Sequence, residues 1–147
     1  MGQVNLTIDG RAVSVEKGST VLEAAKKAGV RIPTLCYLEN VQAIGACRMC
    51  IVEVQGRRGL HAACVLPVEE GMVVNTNTAM VRTARKAVLE LILSNHPFEC
   101  LTCVRNLNCE LQRLAEELGV RNVRFTGANP ETSIDDTNPS VIRDQRK

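Results

Sequence analysis

The sequence predicts an α+β chain, a β-grasp unit followed by a small helical unit, and three observations carry that prediction. Residues 4–15 alternate as a hairpin. Residues 20–29 have the caps and content of a single helix. From residue 78 the apolar period lengthens from two to between three and four.

In the hairpin, Val4, Leu6 and Ile8 alternate with polar residues, Asp9-Gly10 has the composition of a two-residue turn, and residues 12–15 return. Thr20 and Glu23 then form a capping box, good helix formers follow, and Gly29 supplies the stop. A hairpin followed by a helix packed across it opens a β-grasp sheet. The remaining strands are expected at residues 51–55, 60–62 and 73–76.

The second unit starts with a helix over residues 78–94. Val81, Ala84, Val88, Leu91 and Ile92 are expected on its apolar face, with Arg82, Arg85 and Lys86 opposite. Pro97 biases His96 out of the α conformation, so this helix should finish near Asn95 and present His96 at its exit. Another helix is expected over residues 110–118, stopped by Gly119. Residues 127–138 are rich in turn formers. The expected division is therefore 1–77, 78–120 and an irregular tail over 121–147.

A net charge of +2, with one Tyr and two Phe, argues against nucleic acid, because neither a basic footprint nor stacking surface is present. The longest apolar stretches, such as residues 87–93, are interrupted by Glu90 and fall far short of the roughly 20 residues of a membrane span. No signal-peptide pattern opens the chain, and Leu6 stands where a myristoylation signal needs Ser or Thr. A cytoplasmic address is expected.

Seven cysteines are an odd number, which argues against a closed disulfide framework and for metal ligation or redox chemistry. Cys36, Cys47, Cys50 and Cys64 are spaced C-x10-C-x2-C-x13-C, and His96, Cys100, Cys103 and Cys109 are spaced H-x3-C-x2-C-x5-C. The seven cysteines and one of the two histidines thus divide into two sets of four with none left over. Iron–sulfur clusters and two tetrahedral zinc ions both satisfy these donors on spacing alone. Gly45-Ala46 is small enough to bring backbone N–H groups close to a cluster, although an ordinary turn glycine reads the same way. His61 lacks such company and reads as a surface or strand residue. Arg57 and Arg58, between Gly56 and Gly59, read as a solvated turn.

Four stretches carry a resemblance: Pro33-Thr34-Leu35-Cys36-Tyr37; Gly45-Ala46-Cys47-Arg48-Met49-Cys50-Ile51-Val52-Glu53-Val54; Ala63-Cys64; and Asn95-His96-Pro97-Phe98-Glu99-Cys100-Leu101-Thr102-Cys103 with Cys109-Glu110-Leu111-Gln112. Together they resemble the N-terminal iron–sulfur region of multi-cluster [FeFe] hydrogenases of the NAD(P)-linked type. The large iron–sulfur subunit of respiratory complex I and NAD-linked formate dehydrogenases carry similar segments. The resemblance covers nearly the whole chain and favours iron over zinc.

It implies a plant-type ferredoxin-like β-grasp domain with a [2Fe–2S] cluster on Cys36, Cys47, Cys50 and Cys64. A small helical domain with a [4Fe–4S] cluster on His96, Cys100, Cys103 and Cys109 would follow. In the hydrogenases a run like Ser140-Val141-Ile142-Arg143-Asp144 leads on to further cysteine-rich segments and a catalytic domain, whereas this sequence ends at Lys147. No catalytic residue is therefore expected in it. The implied function is relay of single electrons between a flavin-containing, NAD(P)H-oxidising subunit and a catalytic hydrogenase or dehydrogenase subunit. The alternatives are an N-terminal fragment of a full hydrogenase or complex I-like dehydrogenase, and a zinc-stapled interaction module.

Overall fold

The computed structural model describes residues 2–127, 134–138 and 140–144. Strands β1 (Gln3–Ile8) and β2 (Arg11–Glu16) pair antiparallel through Asp9 and Gly10, whose φ values of 47° and 79° are those of a type I′ turn. Strands β3 (Ile51–Val54), β4 (Leu60–Ala62) and β5 (Val73–Asn75) complete a five-stranded sheet in the order β2-β1-β5-β3-β4. The β1–β5 pair is parallel and the other pairs are antiparallel. Where β1 ends, the Asp9 carboxylate accepts from the Thr76 backbone N–H at 2.7 Å and from the Thr76 hydroxyl. That contact fixes how β5 leaves the sheet.

Helix α1 (Val21–Lys27) has the capping box the sequence predicts. The Thr20 N–H donates to Glu23 Oε2 at 2.6 Å, and the Glu23 N–H donates to Thr20 Oγ1 at 3.3 Å. Its Val21, Leu22, Ala24 and Ala25 are buried against Val4, Leu6 and Ile8 of β1 and Val13 and Val15 of β2, forming the main core. Cys50 and Cys64 belong to that core.

Helix α2 (Ala79–Ser94) is capped by Thr78, whose Oγ1 accepts from the Val81 N–H at 3.2 Å, and it ends at Asn95 as Pro97 requires. Its buried face differs from the expected one. Val81, Arg85, Leu89, Glu90 and Leu93 are buried, whereas Leu91 is half exposed. Arg85, expected outward, points inward because its Nη2 donates to the Ile51 carbonyl of β3 at 2.7 Å. The inward stripe is thus Val81, Arg85, Leu89 and Leu93, spaced four residues apart.

Helix α3 (Glu110–Glu117) packs Leu114 against Leu89 and Leu93 of α2. Arg31, next to the first core, bonds Glu117 at 2.8 Å and Glu110 at 3.3 Å, tying α3 to the sheet unit. Lys86 of α2 donates to the Gly119 carbonyl at 3.0 Å and ties the far end of α3. The tail is not wholly irregular. Strands β6 (Ile134–Asn138) and β7 (Val141–Asp144) form an antiparallel hairpin. Ile134, Thr137, Val141 and Ile142 favour strands.

Candidate functional site

The first set of donors is gathered by the loop that leads into β3 and by the segment after β4. Gly45 is buried with φ +65°, a conformation that favours glycine, and a Cβ built on it would press on Val65 Cγ2 at 3.3 Å. Arg48 also adopts a left-handed φ of 54°. The loop curls back on its own sulfurs. The Cys47 N–H donates to Cys36 Sγ at 3.5 Å and the Met49 N–H donates to Cys47 Sγ at 3.5 Å. These donors lie just after the Gly45-Ala46 pair that the sequence singled out.

Burial opposes ionisation of Cys47, yet backbone N–H donation led by Met49 holds its thiol below the usual range. Burial pushes the Cys64 thiol up to about 12, and the neighbouring Cys50 sulfur and the charges on Cys36 and Cys47 add to the rise. The Cys64 sulfur therefore sits within electrostatic reach of the other three. A cluster that takes up four thiolates eases the conflict, because its iron supplies positive charge within the set itself.

The second set lies at the exit of α2. The His96 N–H donates to the Leu93 carbonyl at 3.0 Å, closing the helix just before Pro97. Cys100 begins a 3-10 turn (Cys100–Thr102), and Cys103 closes that turn by donating to the Cys100 carbonyl at 3.2 Å. The Arg105 N–H donates to Cys103 Sγ at 3.5 Å. Cys109 is the N-cap residue of α3, but its sulfur makes no capping bond and stays available. The loop between Cys103 and Cys109 is held by Gln112, whose Oε1 accepts from the Leu107 N–H at 3.2 Å and whose Nε2 donates to Asn106 Oδ1 at 3.0 Å. His96, Cys100, Cys103 and Cys109 all line one cavity of about 260 Å³ between α2 and α3, with Leu93, Leu111 and Ala115 among its apolar walls.

Among the described residues, no three His, Cys, Asp or Glu side chains close on a point as the ligands of one mononuclear ion do. The donors of the second set line a cavity with room for a cluster of several atoms.

Two family models match the chain. Residues 2–79 match the 2Fe-2S iron-sulfur cluster binding domain, and residues 85–124 match the NADH-ubiquinone oxidoreductase-G iron-sulfur binding region. The chain belongs to the 2Fe-2S iron-sulfur cluster binding domain family. This iron–sulfur protein binds one [2Fe–2S] cluster and one [4Fe–4S] cluster.

The iron–sulfur chain is 46% identical to the NADP-reducing hydrogenase subunit HndD of Solidesulfovibrio fructosivorans, over 100% of its own length and 26% of that subunit. It is 42% identical to the mitochondrial NADH-ubiquinone oxidoreductase 78 kDa subunit of Candida albicans, over 85% of its length and 17% of that subunit. Among solved structures it resembles a chain of an NAD+-reducing [NiFe]-hydrogenase in the H2-reduced state, with a TM-score of 0.82 and 33% identity. That match covers 92% of this chain and 57% of the other. The iron–sulfur chain thus spans about a quarter or less of the curated relatives named.

Outside the two sets, His61 lies in β4 with Nε2 buried and unpaired. Arg57 is not simply solvated, since it pairs with Glu69 at 2.5 Å. Near the first set, Met49, fully buried beneath the loop, was given no role by the sequence, and Arg85 was expected to face outward. A methionine inside C-x2-C is a signal for burial only once the loop's path is known. Among the described residues no helix is long and apolar enough to cross a membrane.

Proposed function

We propose that Cys36, Cys47, Cys50 and Cys64 ligate the [2Fe–2S] cluster and that His96, Cys100, Cys103 and Cys109 ligate the [4Fe–4S] cluster. The units divide at residues 77 and 78, and the chain relays single electrons in the cytoplasm between a flavin-containing, NAD(P)H-oxidising subunit and a catalytic subunit of hydrogenase or formate dehydrogenase type. Bound clusters supply reversible one-electron storage. What this chain's residues contribute is a pair of shaped sites and fixed N–H dipoles, from Cys47 and Met49 at the first set and Arg105 at the second. Those dipoles ease the negative charge that each added electron brings.

The observation that supports the reading is that one small core joins the Cys47–Cys50 loop to α2 and α3, between which His96, Cys100, Cys103 and Cys109 line a cavity. Met49, between Cys47 and Cys50, is packed with Leu89, Leu93 and Leu114, and Cys47 and Leu35 pack against the same cluster. A rigid apolar bridge of this kind holds two redox centres at a constant separation. Partner subunits are supported by the relatives' names, which are those of hydrogenase and NADH-ubiquinone oxidoreductase subunits. They are also supported by exposed apolar side chains beside both sets. Leu38, Val41 and Ile44 flank the first, and Leu101, Val104 and Leu107 the second. The reading is the same whether the module works as a separate subunit or within a longer chain.

Alanine at Cys50 and at Cys109 tests the ligand assignment. In dithionite-reduced protein prepared without oxygen, Cys50→Ala should lose only the [2Fe–2S] resonance and Cys109→Ala only the [4Fe–4S] resonance. Retention of both signals in either variant would contradict the assignment.

A further inference from the structure

Burying a guanidinium is costly unless negative charge or hydrogen-bond acceptors compensate for its lost hydration. Arg85 is 6% exposed, and among the described residues no carboxylate lies within ion-pair distance of it. Its Nη2 donates to the Ile51 carbonyl at 2.7 Å, while its Nε is buried and has no protein partner. Burial lowers its pKa to about 10, which leaves it protonated at neutral pH, and the charges that favour the cation are Cys50 first and Asp9 second. Asp9 is already committed to the N–H and hydroxyl of Thr76. The negative charge left to balance Arg85 is therefore on the sulfur side, one residue along the chain from the carbonyl it binds.

We propose that Arg85 of α2 is a positioning residue for the first centre, its buried cation setting the reduction potential of the [2Fe–2S] cluster on the Cys47–Cys50 loop. The inference rests on the ligand assignment proposed above. Reduction adds one negative charge to a centre that is already negative, so a fixed cation in a dry environment stabilises the reduced form more than the oxidised form. The helix that ends at His96 thus also tunes the centre on the sheet unit. Because Arg85 is eleven residues before His96, about 16 Å along a helix axis, it acts far less on the second centre.

Redox titrations of the loaded protein, followed by low-temperature electron paramagnetic resonance, test this in Arg85→Gln, Arg85→Met and Arg85→Lys. The two neutral variants should shift the [2Fe–2S] reduction equilibrium toward the oxidised form by at least about tenfold, or about 59 mV for one electron. Arg85→Lys should stay near the parent, and the [4Fe–4S] midpoint on the same chain should move less. Arg85→Gln is too short to keep the bond to the Ile51 carbonyl, so Arg85→Lys, which keeps the charge and most of the length, is the control, and the thermal midpoint of each variant is read beside its potential. A [2Fe–2S] midpoint unchanged in Arg85→Gln, or shifted equally in Arg85→Lys and Arg85→Met, would overturn the proposal while leaving the ligand assignment intact. Loss of the [2Fe–2S] signal in both neutral variants would also count against it, since tuning is not holding. Absence of that signal from the parent would remove the ligand assignment and the proposal together.

Discussion

Met49 donates its backbone N–H to Cys47 Sγ at 3.5 Å while its side chain is fully buried with Leu89 and Leu93 of α2. One residue thus shapes the first sulfur site with its backbone and fills the core beneath the second unit with its side chain. Truncating it leaves a cavity under the loop. Met49→Ala should cost about 2–5 kcal/mol, the range for large-to-small core changes. In thermal melts of the loaded protein the midpoint should fall by at least about 5 °C, and a fall under about 1 °C would show that the packing is dispensable.

Gly45 has φ +65° and a van der Waals neighbour in Val65 at 3.3 Å from a built Cβ. An alanine there is strained by its backbone, at about 1–2 kcal/mol, before any contact with Val65 is counted. Gly45→Ala should therefore lower both the thermal midpoint and the amount of [2Fe–2S] cluster per chain, leaving the [4Fe–4S] content near the parent's. Iron and acid-labile sulfide analysis, with the visible spectrum, reads this directly. Equal loading of both centres in the variant would show that the turn tolerates a side chain.

Glu90 is 1% exposed, and the Arg124 guanidinium reaches it at 2.6 Å from a largely exposed position. Removing the arginine leaves a buried carboxylate without its cationic donor. Arg124→Ala should destabilise by about 1–3 kcal/mol, discounted from a fully buried pair because solvent reaches the arginine. Glu90→Gln combined with Arg124→Ala should cost less than Arg124→Ala alone, because the stranded charge is gone. Additive losses in this double-mutant cycle would mean that the two side chains act independently.

On the proposed ligand assignment, His96 would give the second centre an uncharged donor where a cysteine would give a thiolate. His96→Cys adds one negative charge to the [4Fe–4S] site and should lower its reduction potential, with the [2Fe–2S] midpoint unaffected. A redox titration of the loaded variant measures the shift. An unchanged [4Fe–4S] potential would show that hydrogen bonding and burial, and not ligand charge, set its value.

Local chemistry is why so much was legible in the sequence. Asp9-Gly10 is a type I′ pair whatever surrounds it, Thr20 with Glu23 satisfies the start of α1 within four residues, and Pro97 ends α2 by sterics alone. Arg85 was misplaced because helical periodicity assigns a charged side chain outward by default. Only the Ile51 carbonyl, supplied by a strand 34 residues away in sequence, makes the inward position tolerable. Met49 was passed over for the same reason, since its burial depends on α2 and α3 closing over the loop. The hairpin of β6 and β7 was hidden by turn formers that read alike in an irregular tail and in a tight connection.

The most direct test of the account is low-temperature electron paramagnetic resonance of the dithionite-reduced protein, purified without oxygen and assayed in parallel for iron, sulfide and zinc. Two distinguishable resonances, one from a [2Fe–2S] and one from a [4Fe–4S] centre, with iron and sulfide in matching amounts, are the predicted result. A colourless, resonance-free protein that carries zinc and takes up no iron or sulfide on reconstitution would contradict it.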